Sequence, residues 1–184
     1  MKGLKLRKMI YIALFVALMT ALGYVRIPLP FSPVPITGQT FGVMLAGSLL
    51  GSRLGFLALV VFNLTGLVFP VFAGPNGGPG VFLGPTGGFI LSWPLAAGLI
   101  GLLVERTEKP SFLRSLGANF VGGIVLIYAL GIPHFALVTN TGIGPALLTA
   151  ALPFIPGDII KCFVAALATQ RLAVVRISKQ TASD

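Results

Sequence analysis

Asp158 and Lys161 are the carboxylate and the amine that fall inside an apolar run of this chain. Spaced three apart on a helix, they share one face. Each such group costs roughly 2.5–3.5 kcal/mol at the centre of a membrane helix on insertion scales, so ionisable residues there are functional by default. Pro156-Gly157 starts the helix just before them, near one membrane surface, where Lys161 can snorkel outward and Asp158 gains from the helix dipole. A plain ion pair at a helix start would use the same two residues, and sequence alone leaves both readings open. Uncharged hydrogen-bonding residues stand elsewhere at the same side: Gln39, Asn76 and Thr86, with Phe82 and Phe89 supplying apolar area. Singly, each polar residue also suits a cap or a turn. Together with Asp158 and Lys161 they describe an apolar pocket with a few aimed polar groups, the usual make-up of a small-molecule site.

Other chemistry is thinly supplied. The chain has one histidine, His134, one cysteine, Cys162, and four acidic residues. No nucleophile–base–orienter set is available, so no enzyme activity is expected, and no metal-ligand spacing or cofactor motif is present. A single cysteine excludes an intrachain disulfide, and Cys162 reads as a small helix-packing residue. His134 reads as a loop residue, facing solvent or bonding locally. Glu105, Glu108 and Asp184 belong to flanking polar segments. The glycine-rich stretch Pro70–Gly88 contains no lysine or arginine, which excludes a phosphate-binding loop. Its glycines suit instead a backbone packed closely against a small ligand.

The elements that must position these residues are membrane spans. Of the 184 residues 55% are hydrophobic and only 9% charged, against about 25% charged in soluble domains. Six apolar runs approach the ~20 residues that a span requires: 9–25, 38–50, 54–69, 89–104, 115–131 and 156–175. The predicted fold is therefore an all-α integral membrane protein, a single six-transmembrane-helix bundle in the lipid bilayer of a cell membrane. The second run is short, and Gly51-Ser52-Arg53 reads as a tight turn between the second and third helices. With both termini cytoplasmic, Lys2, Lys5, Arg7, Lys8, Arg53, Arg106, Lys109, Arg114, Arg171, Arg176 and Lys179 all lie inside, and Arg26 alone lies in an outer loop. That is the asymmetry the positive-inside rule demands. It also accounts for the net charge of +9 without nucleic acid, since no aromatic residues interleave with the basic ones. The N-terminal stretch resembles a signal peptide, but with the rest of the chain itself apolar it reads as the first span.

The outer connections differ from the inner ones. The first carries Pro28, Pro30, Pro33 and Pro35; the second is Pro70–Gly88; the third, Ile132–Phe154, is long and uncharged apart from His134. Long apolar, glycine-rich loops that converge on one face place function on that outer face. A channel would need a continuous polar lining, which the inner halves of the spans lack. Ala13, Ala17 and Ala21 form a four-residue-spaced small stripe on the first helix, suited to close helix packing within the bundle or against a membrane partner.

Several segments, in order along nearly the whole chain, resemble the BioY family: Pro33-Val34-Pro35-Ile36-Thr37 with Gln39-Thr40, Pro70-Val71-Phe72-Ala73-Gly74, Gly84-Pro85-Thr86-Gly87-Gly88, and Pro156-Gly157-Asp158 with Lys161. That family comprises the biotin-binding S-components of energy-coupling-factor (ECF) importers, in bacterial or archaeal cell membranes. The resemblance implies an S-component fold and biotin captured from outside beneath a loop-covered pocket. It implies substrate contacts from Gln39, Asn76, Phe82, Thr86, Phe89, Asp158 and Lys161. It also implies assembly, partly through Ala13, Ala17 and Ala21, with a transmembrane coupling subunit and two cytoplasmic ATPases that alone use ATP. An S-component for another vitamin would share the fold. Phe89 departs from the family's frequent tyrosine, which removes a hydroxyl contact there while keeping a ring for stacking.

Overall fold

The computed structural model describes residues 2–73, 76–105 and 111–172. Its elements are almost all helical. Helix α1 spans Lys2–Tyr24. A two-stranded antiparallel hairpin follows, β1 (Arg26–Leu29) and β2 (Ser32–Thr37), with Arg26 opposite Thr37. The all-α expectation is thus corrected at the proline-rich segment. Proline's fixed φ suits extended backbone and its missing N–H is harmless on a two-stranded edge.

Helix α2 (Gln39–Leu45) runs on through a π-helical stretch, Ala46–Leu50, into α3 (Gly51–Gly66). The chain reverses at Gly51, whose φ of 83° suits glycine. A Cβ on Gly55 would stand 2.9 Å from the Ala46 carbonyl oxygen, although a straight helix would hold residues nine apart ~13 Å from one another. Glu105, at the end of α5 (Gly87–Glu105), fastens this reversal: its carboxylate accepts from the Ser52 N–H at 3.1 Å and from the Ser52 hydroxyl at 2.8 Å. A negative charge at that helix start also complements the α3 dipole.

Helix α5 is the centre of the bundle. Its apolar window is 67% buried, whereas that of α1 is 11% buried, so α1 lies at the edge. Small residues let neighbours approach α5 closely. A Cβ on Gly47 would come 2.6 Å from the Ala97 carbonyl oxygen, and one on Gly122 would come 3.0 Å from that of Ala96. Pro94 lacks an N–H and so leaves the Ile90 carbonyl without its helical donor. The Asn63 amide of α3 donates to that carbonyl at 3.0 Å.

The remaining elements are α4 (Gly80–Leu83), α6 (Phe112–Phe120), a second π-helical stretch (Val121–Leu126), α7 (Ile127–Thr139), α8 (Ile143–Ala150) and α9 (Ile155–Leu172). Among the described residues, four helical stretches are long and apolar enough to cross a membrane: Leu6–Tyr24, Gln39–Gly66, Gly87–Glu105 and Phe112–Thr139. The pair α8 and α9, bent by 57°, makes a fifth when taken as one span. The third outer connection differs most from expectation. Helix α7 continues through Pro133 to Thr139, and α8 takes up a further eight residues of what reads as loop in sequence. His134 therefore stands in a helix, beside Gly88 at the start of α5, with its Nδ1 buried. Cys162 is buried in the inner core cluster with Met44, Ile100 and Ala165, as a small packing residue. Both chain ends, Gly74, and the basic residues Arg106, Lys109, Arg176 and Lys179 lie outside the described side chains, so the side of the termini rests on the sequence pattern.

Candidate functional site

A cavity of about 270 Å³ opens among β2, the glycine-rich connection, α5, α7 and the start of α9. Asp158 enters it from the first turn of α9, 4% exposed. Its carboxylate is held by three donors. The Lys161 ammonium stands 2.9 Å from Oδ1, the Thr40 hydroxyl donates to the same oxygen at 3.1 Å, and the Tyr128 hydroxyl donates to Oδ2. Lys161 also donates to Thr40 Oγ1 at 2.9 Å. The four side chains come from α2, α7 and α9, and all four line the cavity. A carboxylate offers about four acceptor positions and an ammonium three N–H groups. Among the described residues, one acceptor position on Asp158 and one N–H on Lys161 therefore have no protein partner. The pair reads as more than a helix-start ion pair, because two further helices supply donors to the same carboxylate.

The other sequence-predicted residues fall into three groups. Asn76, Thr86 and Phe89 line the cavity. Asn76 Nδ2 donates to the Ala73 carbonyl at 3.0 Å, which leaves its second N–H and its Oδ1 for other partners. The Phe89 ring meets the Tyr128 ring edge-on, 6.2 Å between centroids. Gln39 also lines the cavity. Nε2 donates to the Met19 and Val71 carbonyls at 3.3 and 3.2 Å, and Oε1 accepts from the Ala73 N–H at 3.3 Å. It therefore ties α1 to the glycine-rich connection, with one acceptor position of Oε1 beyond these three bonds. Phe82 stands behind the lining, packed edge-on against Phe72 at 5.4 Å; Phe72 is the ring at the cavity wall. Ala13, Ala17 and Ala21 are exposed on α1, facing away from the bundle.

Thr40, Tyr128, Phe72 and Trp93 are lining residues to which sequence reasoning gave no role. For Tyr128 a signal existed: a tyrosine within an apolar run carries a hydroxyl that must find a partner when buried. For Thr40 it did not, since a threonine next to a helix start is ordinarily a cap.

The model of the BioY family matches residues 1–177. The chain belongs to the BioY family. It is 46% identical to the biotin transporter BioY of Rhodobacter capsulatus, with 94% of this chain and 96% of that one covered. It is 45% identical to a probable biotin transporter BioY of Bacillus subtilis over 89% and 88% of the two chains. Among solved structures it resembles the S-component for biotin from an ECF-type ABC transporter, with a TM-score of 0.87, 32% identity, and 94% and 93% of the two chains covered. The BioY family match spans every element that contributes to the cavity, from β2 to α9.

Proposed function

We propose that this chain is the biotin-binding S-component of an ECF-type importer: a multi-pass cell-membrane protein, not an enzyme, that captures biotin from the outer face. One observation carries the reading. An otherwise uncharged cavity ends on the buried Asp158 and the half-buried Lys161, with one acceptor position and one N–H that no described residue engages. A ureido ring presents the complement, an N–H donor beside a carbonyl acceptor. In this reading Asp158 accepts from the ureido N–H and Lys161 donates to its oxygen. Asn76 adds a hydrogen bond, and Phe89 covers the apolar ring system together with Phe72. Thr86 closes the site from the glycine-rich side, while Gln39 and Phe82 act one step removed, by holding that connection in place. Sites built around hydrogen bonds to a ligand strongly reject analogues that lack the partner group.

The topology that goes with this function is six spans with both termini cytoplasmic. The reversal at Gly51 supports counting Gln39–Gly66 as two spans, and the 18-residue α9 supports counting it as a span of its own. ATP is used only by partner subunits, a transmembrane coupling protein and two cytoplasmic ATPases, and the chain needs no cofactor. The exposed stripe of Ala13, Ala17 and Ala21 on the least buried of the candidate spans supports docking of the coupling subunit there.

Calorimetric titration of biotin into the detergent-solubilised chain and its Asp158→Asn and Lys161→Ala variants tests the site. A hydrogen bond to a charged group contributes roughly 1.5–3 kcal/mol, so each variant should bind at least tenfold more weakly. Wild-type affinity in both would remove these residues from the site.

A further inference from the structure

Biotin also carries a carboxylate, and the cavity floor has no charge left for it, because Lys161 is compensated by Asp158 at 2.9 Å. The cavity mouth is different. Arg26 on β1 stands opposite Thr37 in the hairpin, and Thr37 lines the cavity. Its Nη1 donates to the Ala73 carbonyl at 3.2 Å, the same oxygen that accepts from Asn76 Nδ2 at 3.0 Å; Ala73 and Asn76 are both lining residues. Arg26 is not itself a lining residue, but its guanidinium is tied to the rim by this hydrogen bond and its backbone by the pairing with Thr37. A guanidinium has five N–H groups in a fixed fork that matches a carboxylate. One is engaged here, and among the described residues no carboxylate pairs with Arg26.

We infer that Arg26 is a specificity-determining residue, which reads the ligand's carboxylate at the cavity mouth while the Asp158–Lys161 pair holds the opposite, ureido end. The inference rests on the biotin reading above and adds to it an orientation: rings inward, acid tail outward. Arg26 is exposed, so its contribution is that of a solvent-screened pair, worth up to about fivefold in affinity and smaller at high salt.

The test compares biotin with its neutral carboxamide on the full-length chain in detergent. Wild type should prefer the acid roughly three- to fivefold, and 0.5 M salt should reduce the preference. Arg26→Gln should bind both ligands equally, at the wild-type affinity for the amide, while Arg26→Lys should keep part of the preference. An Arg26→Gln chain that retains the acid preference, or that loses affinity for acid and amide alike, overturns the inference while leaving the biotin reading intact. A wild-type chain that binds neither ligand overturns both.

Discussion

The burial of Asp158 separates its pairing with Lys161 from a surface ion pair, and the difference shows in stability. In Lys161→Met the Asp158 carboxylate loses its cation while remaining buried, with its side chain 6% exposed. Breaking a buried pair costs about 3–5 kcal/mol. Thr40 and Tyr128 still donate to Asp158, which places the cost at the lower end, about 3 kcal/mol, or a fall of roughly 6–12 °C in the unfolding midpoint of a chain this size. Replacing both partners, Asp158→Leu with Lys161→Met, removes the orphaned charge but strands two hydroxyls, each worth ~1 kcal/mol or somewhat more. Adding Tyr128→Phe removes one of those. The midpoint should therefore rise from Lys161→Met to the double variant and again to the triple, while all three lose biotin binding. Trp93, the only tryptophan and 5% exposed, reports unfolding by its fluorescence. A Lys161→Met chain as stable as wild type, or a double variant less stable than Lys161→Met, would refute the idea that Asp158 is a desolvated charge held by its neighbours.

Three other perturbations have defined outcomes. Gln39→Leu leaves the Met19 and Val71 carbonyls and the Ala73 N–H without their partner. It should cost about 2–3 kcal/mol and speed limited proteolysis within residues 70–79. Gly131→Ala places a methyl group against the Phe89 ring, forcing that ring to shift at the cavity wall. Titration should show roughly tenfold weaker biotin binding with the helical circular-dichroism signal unchanged. Ala17→Trp puts a large side chain on the exposed face of α1. It should leave biotin binding by the isolated chain unchanged and abolish co-purification with the coupling subunit, and full co-purification would remove that face from the contact.

Much of this was readable without coordinates, for identifiable reasons. Charge depletion is a strong signal of membrane spans because lipid penalises charge directly. Asp158 and Lys161 stood out on the same ground, and their spacing placed them on one face. What was hidden depended on tertiary partners. Nothing local distinguishes Thr40 from a cap, yet across the fold it meets a carboxylate that is 118 residues away in sequence. Gln39 reads as a ligand contact from its type; that it also braces α1 against the glycine-rich connection is visible only from its three neighbours. The third outer connection reads as loop because it is long and uncharged, with prolines at 133 and 145. Pro145 in fact sits in the first turn of α8, where its missing N–H is harmless, and Pro133 is absorbed inside α7. The β-hairpin was missed because its prolines mask an extended pattern.

The central claim is that one biotin molecule occupies the cavity above Asp158 in the chain by itself. Native mass spectrometry of the purified chain, offered an equimolar mixture of biotin and other water-soluble vitamins in the absence of any ATPase subunit, measures this directly. The account predicts a single mass increment equal to one biotin per chain, diminished in Asp158→Asn. Retention of a different vitamin by the wild-type chain, or of biotin undiminished by that substitution, would contradict it.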